Sequence, residues 1–459
     1  MRQKRAAGTT CDRPSNAMRA NYCQRGGGPI ALSVLLLALL IFRVFNGLSL
    51  ELVAGDSVQI YLLGLKFFTT SRWPFFGPDV VYTDQQIAGP LQGLAVGVPL
   101  FLTREPEAPL IFLNVLSFGG LVGFGIYLTR RFPLVPPWLA CAWLLTCPWT
   151  LTYSTHVYNP SYLLPLGCCF FVAFFELVPS LTGNLVPPGV SFILLGFSVA
   201  ASSQFHLSWP LLMPFVLISI ATRAREHLLT PSQIAWLLVG AALPLTLMVP
   251  TVIKYGFASL FAALVGNAGV NSQSALTGVQ VVARFFSFAS FEPFHFLGYR
   301  SEAQLQALRQ SPWLIPFAVA LGIVGLAQPF VILIVLFVPS LLKVEGDPFR
   351  NIRWLVVGTL GLTWVAFWFT SRPPITRNYF ILCPLALLTG YLAFGSLIRT
   401  TDAKRWAVAA IAAGTVLHIG LAARRLSTDP WTGRRSTVMR ALQERDYRIL
   451  GERRPHTLY

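Results

Sequence analysis

Three kinds of side chain in this sequence are spaced so that they could act together: carboxylates, fixed cations and neutral hydrogen-bonding groups. The acids are Asp56, Asp79 and Asp84, all within residues 42–90. A carboxylate held at a membrane interface is partly desolvated, which raises its proton affinity and suits it to general-base work. Asp56, in Gly55-Asp56-Ser57, is the first candidate for that role. Asp79 and Asp84 flank Val-Val-Tyr-Thr and are candidates for a second acid, a contact to an acceptor or a metal ligand. Two carboxylates without a third ligand make a weak metal signal, and no metal or other cofactor is expected. The cations are Arg43, Lys66 and Arg72, with Arg372 and Arg377 much later in the chain. Such groups would neutralise a phosphate, as a phosphate leaving group requires. His156, Asn159, Gln204 and His206 fall at breaks between apolar runs, where together they suggest a polar cavity. Each has a plainer reading. Asp56 would cap the next helix, Asp79 and Asp84 would be solvated turn acids, and Arg43 would snorkel. The His, Asn and Gln side chains would be satisfied helix ends.

The elements that position these residues are set by composition. The 459 residues are 54% hydrophobic and only 12% charged, against about 25% charged in a soluble domain. Long apolar runs recur from residue 30 to residue 423. They read as helices of an integral membrane protein, since barrel strands would alternate instead. The formal charge of +17 does not point to nucleic acid, because the Lys and Arg residues sit in the two tails and the short loops, as topology signals and contacts to anionic lipid do. Cys141, Cys147, Cys168, Cys169 and Cys383 lie in apolar runs and show no C-x-x-C spacing. Metalloprotease, nucleotide-binding and α/β-hydrolase motifs are absent.

Taken in order, residues 1–29 form a basic arm expected in the cytoplasm, and residues 30–49 an uncleaved first helix carrying Arg43. A first outer loop, 50–108, holds the acids. Its apolar run 91–102 is too short to span and is expected as an interfacial helix. Further spans are expected near 109–128, 136–152, 161–178, 189–203, 207–221, 234–252, 313–342, 354–370, 380–398 and 406–423, about eleven in all. A second long outer loop, 253–312, contains an aromatic run with Glu292, Pro293 and His295. The tail 424–459 carries nine arginines and four acids. An odd number of spans places it outside, against the positive-inside rule. The run 279–297 is where one helix would be miscounted.

Several of these residues, in this order, resemble the GT-C superfamily of polyprenyl-phosphate-dependent glycosyltransferases. The nearest likeness is to the protein O-mannosyltransferase and aminoarabinose-transferase branch, glycosyltransferase family 39. The resemblance covers residues 30–400. It is carried by Arg43 late in the first helix, Gly55-Asp56-Ser57 after it, Gly89-Pro90-Leu91 opening the run to Phe101, the basic pair Arg130-Arg131, and Arg377-Asn378-Tyr379 with Pro384. Three positions depart from the family pattern. Ser57 stands where members often have Glu, His156 and Asn159 stand in a loop where many have a second acid, and Ala88-Gly89-Pro90 stands where some have Lys-Pro-Pro.

The resemblance implies an all-α, GT-C-like polytopic protein with interfacial helices in its first outer loop. It implies transfer of a sugar, with inversion, from a polyprenyl-phosphate donor to a hydroxyl of a glycan, lipid or protein acceptor. Asp56 would be the base, with Asp79 or Asp84 as the second acid. The donor phosphate would lie on Arg43, Lys66, Arg72 or Arg377, and the substrates against His156, Asn159, Gln204, His206 and Tyr379. A transporter or flippase for a lipid-linked sugar, or an inactive membrane scaffold, are the competing readings. The lack of glycosylation sequons and retrieval signals favours a bacterial inner membrane, with the site facing the periplasm or exterior.

Overall fold

The computed structural model describes residues 29–51, 55–80, 83–270, 274–291, 301–338, 350–400 and 403–428. Glu292, Pro293, His295, most of the basic arm and most of the tail therefore lie outside the described residues. The protein is a helical membrane protein. Among the described residues, six helices are long and apolar enough to cross a bilayer, seven if one bent pair is a single span, and several shorter apolar helices accompany them.

Helix α1 (Pro29–Leu50) is the apolar run that carries Arg43. A break over 51–54 leads into α2 (Gly55–Thr70), with Asp56 in its first turn, where the partial positive charge of the free N–H groups favours an acid. The chain then forms a feature that the apolar pattern does not predict, an antiparallel hairpin of β1 (Phe76–Val80) and β2 (Gln85–Ala88). Phe76 pairs with Ala88 and Asp79 with Gln86, and the ladder is irregular between Phe76 and Asp79. Pro78 sits in that irregular stretch, as expected of a residue with no N–H to give to a ladder.

Helix α3 (Leu91–Leu102) follows and packs on α2. The two approach closely because Gly64 and Gly97 face each other's backbones. A Cβ on Gly64 would lie 2.4 Å from Val96, and one on Gly97 would lie 2.8 Å from the Gly64 carbonyl oxygen. The hairpin closes onto the body through Gly89, whose φ of +111° is open to glycine but not to bulkier residues.

The central layer comprises α4 (Ala108–Arg131), α5 (Pro137–Thr146), α6 (Pro148–Ser154), α7 (Leu163–Leu177) and α8 (Pro188–Ser202). Helices α5 and α6 are one apolar run broken at Cys147-Pro148, because Pro148 has no N–H and cannot continue the ladder. Further on are α9 (Met213–Arg225), α10 (Pro231–Thr246) and α11 (Val249–Tyr255), the last two bent by 59°. Pro244 and Pro250 flank that bend, which the sequence reads as one straight span.

Helix α11 packs against the hairpin, with Met248 and Tyr255 touching Phe76 and the Thr251 hydroxyl donating to the Phe75 carbonyl at 2.9 Å. The short α12 (Ala262–Gly266) precedes α13 (Ala275–Ser287), which is amphipathic and only 13 residues long. Helix α14 (Ser301–Gln310), followed by α15 (Ile315–Phe337) and α16 (Arg350–Ala366), leads to α17 (Cys383–Thr400), the most enclosed of the long helices, and α18 (Ala403–Thr428). Pro329 lies within α15 without ending it.

Candidate active site

One polar cavity, of about 440 Å³, opens where the hairpin, the loops after α6 and α8, and the segment before α17 come together. Asp56, Asp79, Asn159, His206, Asn267 and Arg377 line it, and Arg372 is at its edge. Five segments far apart in sequence therefore contribute to one wall.

Asp56 reaches the cavity from the first turn of α2. Burial pushes its carboxyl above the usual carboxylate range, Arg377 pulls it back, and Asp79 pushes it up again. Asp79 is held rigidly. Gln86 Nε2 donates to one carboxylate oxygen at 2.8 Å and Gln59 Nε2 to the other at 3.2 Å, while the Asp79 backbone N–H donates to Gln59 Oε1 at 3.1 Å. The register that pairs Asp79 with Gln86 makes the first of these bonds possible.

His206 is buried beside the cavity. The Ser208 backbone N–H donates to its Nδ1 at 3.1 Å, so Nδ1 is the lone-pair nitrogen and Nε2 carries the hydrogen. Burial, with a smaller effect from Arg377, holds the imidazole down to about 3, so it is a neutral donor at ordinary pH. Asn159 accepts from Gln92 Nε2 at 3.2 Å, and the same amide donates to the Phe205 carbonyl at 2.7 Å. Gln92 thereby ties the loop after α6 to the loop after α8.

Arg377 donates to the Tyr158 hydroxyl and lies over its ring, 5.9 Å from the centroid. Opposite it, Asn267 joins the second long loop to the segment before α17. The Ser371 N–H and hydroxyl donate to the Asn267 carbonyl and side-chain oxygens at 2.9 Å and 3.0 Å.

The other expected site residues lie elsewhere. Arg43 neither snorkels nor faces an anion. It is fully buried and fills the break between α5 and α6, donating to the Leu145 carbonyl at 3.0 Å, the Thr150 carbonyl at 3.3 Å and the Ser154 hydroxyl at 2.7 Å. Pro148 interrupts the ladder there and leaves carbonyls for an arginine to satisfy. Lys66 is buried within α2 and off the cavity wall, and Arg72 is exposed beyond the end of that helix.

Asp84 is exposed in the hairpin turn with φ +51°, a conformation Asp tolerates, so it serves the turn rather than the cavity. His156 is buried in a stack with Tyr158, rings 5.7 Å apart. Gln204 donates to the Pro244 carbonyl at 2.7 Å and packs under Gly89. Tyr379 is buried among Phe288 and Phe367.

Four residues were not singled out by sequence reasoning. Asn267, Gln59 and Gln86 carry no motif that would mark them. Glu51 was legible as an acid at the end of the first helix. It is buried, accepts from the Val157 N–H at 3.3 Å and bonds the Tyr61 hydroxyl, so it joins α1 to the loop carrying Asn159.

No family model matches the chain, and no curated protein matches it in sequence. Among solved structures, the crystal structure of ArnT from Cupriavidus metallidurans bound to undecaprenyl phosphate is similar in fold. The TM-score is 0.50 at 13% identity, over 93% of this chain and 78% of that one. The chain therefore has a fold similar to that of ArnT. That agrees with the helical polytopic architecture expected from the sequence, with a strand pair added in the first loop. At 13% identity the ArnT likeness concerns the fold and assigns no residue a role.

Proposed function

We propose that the chain is a membrane glycosyltransferase that moves a sugar from a polyprenyl-phosphate donor to an acceptor hydroxyl, with inversion. The observation that carries this reading is the placing of Asp56 and Arg377 on one cavity wall, in a fold similar to that of a protein crystallised with undecaprenyl phosphate. A base and a cation in one site are what such a displacement needs.

The acceptor O–H gives its proton to the Asp56 carboxylate, and the oxygen attacks the anomeric carbon. The bond from that carbon to the phosphate oxygen breaks, and the electron pair leaves with the lipid phosphate. Arg377, with Arg372 at the edge, stabilises the departing charge. Burial makes Asp56 more basic than a solvated carboxylate, and Arg377 opposes that rise. Asp79, fixed by its two glutamines, holds an acceptor or sugar hydroxyl. His206 Nε2–H and Asn159 supply neutral hydrogen bonds to the sugar. Glycans, lipids and proteins all remain acceptor classes.

The site faces the periplasm or exterior of a bacterial inner membrane in this reading, on the side opposite the basic short loops. The test is turnover by the purified chain with a polyprenyl-phosphate sugar and a panel of acceptors, beside Asp56→Asn. Loss of transfer in Asp56→Asn is expected. Undiminished transfer would remove Asp56 as the base, and lipid translocation without transfer would support a flippase instead.

A further inference from the structure

We propose that Tyr158 is a positioning residue for Arg377, and that it holds the guanidinium at the cavity without cancelling its charge. The inference rests on the glycosyltransferase reading, since it concerns the cation assigned to the donor phosphate.

Arginine has a long stem with about 2 kcal/mol of rotamer entropy, and a cation that must be ordered as the ligand arrives weakens binding. Here the ordering is done beforehand. Arg377 donates to the Tyr158 hydroxyl and its guanidinium carbon is 5.9 Å from the centroid of the same ring, so one side chain fixes where the guanidinium lies.

Tyr158 is itself locked. It is 8% exposed. Its ring stacks on Tyr153 at 6.3 Å and 23°, and on His156 at 5.7 Å and 14°, while Tyr153 stacks on Trp149 at 5.8 Å and 15°. The backbone on either side is tied down. The Val157 N–H donates to Glu51 and the Ser161 hydroxyl to the His156 carbonyl at 2.8 Å. Asn159, the next residue, is on the cavity wall.

The chemistry of the anchor matters as much as its rigidity. A carboxylate at this position would bond Arg377 more strongly, but it would neutralise the guanidinium and compete with an incoming phosphate. A phenol is neutral at working pH. It takes one N–H and leaves the full positive charge, and the remaining donors, for a phosphate. The same fixed charge is what pulls Asp56 down against its burial. Tyr158 therefore acts on both reactants through one contact, and touches neither.

The test is equilibrium binding of undecaprenyl phosphate to the purified full chain in detergent, for the parent, Tyr158→Phe, Arg377→Ala and the double variant. Phenylalanine keeps the aromatic stack and removes the acceptor oxygen. Tyr158→Phe is expected to weaken binding roughly tenfold, the size of one lost hydrogen bond to a charged group. In the Arg377→Ala background the same change should have no further effect, a non-additivity that a merely structural tyrosine would not show.

Parent-like binding by Tyr158→Phe overturns the proposal, as does a tenfold loss that persists without Arg377. A parent chain that does not bind the lipid phosphate overturns the donor reading and this proposal with it. Binding by the parent, with Asp56→Asn still turning over, overturns the base assignment alone.

Discussion

The charge balance of the cavity makes its most exacting prediction through Arg377→Gln. Arg377 and Asp56 line one cavity of about 440 Å³. The two charges are near enough for Arg377 to draw the Asp56 carboxyl down. Removing the guanidinium should therefore raise the Asp56 carboxyl further.

Burial has already raised this group, and Arg377 is the influence that lowers it. The acid limb of the transfer rate, which reports ionisation of the base, therefore moves to higher pH in Arg377→Gln. Asp79→Asn removes a like charge and should move the limb to lower pH, which makes the pair a test of sign. The assay is the pH dependence of kcat/KM, with isotope-edited infrared absorption of the Asp56 carboxyl as a readout that needs no acceptor. Limbs that stay fixed in both variants, or that move the same way, would refute the electrostatic assignment. A shift in 1 M salt equal to that in dilute buffer is also expected, because a cavity charge is screened far less than a surface one.

Three further outcomes are read as changes in stability. Arg43→Met removes the guanidinium donor from the buried Leu145 carbonyl at the α5–α6 break, so thermal stability in detergent should fall by about 1–3 kcal/mol, while affinity for a lipid phosphate stays at the parent value in the molecules that remain folded. Gly89→Ala puts a Cβ at φ +111° and 2.5 Å from Gln204, and a loss of at least about 1 kcal/mol is expected, read as a lowered unfolding midpoint.

His206 is held down to about 3 when folded, below its unfolded value of about 6.5. Between those two values the unfolded chain binds a proton that the folded chain does not, so this residue costs stability as pH falls through that window. His206→Gln should flatten the fall in unfolding midpoint from about pH 6.5 downward, and an unchanged slope would show that the imidazole is not held neutral.

How much of this was legible beforehand can be read from particular residues. Apolar run length and the scarcity of charge determined a helical membrane protein, because a bilayer leaves no other way to satisfy the backbone of such segments. The acid after the first helix was visible as an outlier against that background, and Asp56 does line the cavity. Asn159, His206 and Arg377 were legible as polar groups at helix ends, and they join it there.

The rest depended on contacts between segments that no local pattern connects. Asp79 became the cavity's second acid, and Asp84 a turn residue, through a hairpin register. Alternation over so few residues, interrupted by Gly77 and Pro78, gave no strand signal. Arg43 looked like an anion site because sequence counts an intramembrane charge as unpaid, whereas the break at Pro148, more than a hundred residues away, supplies its carbonyls. Composition and periodicity act along the chain and determine which segments are helices. Pairing a base with its cation is a matter of distance in space, and only the packing of α2, the loops after α6 and α8, and the segment before α17 decided that Asp56 and Arg377 share one cavity.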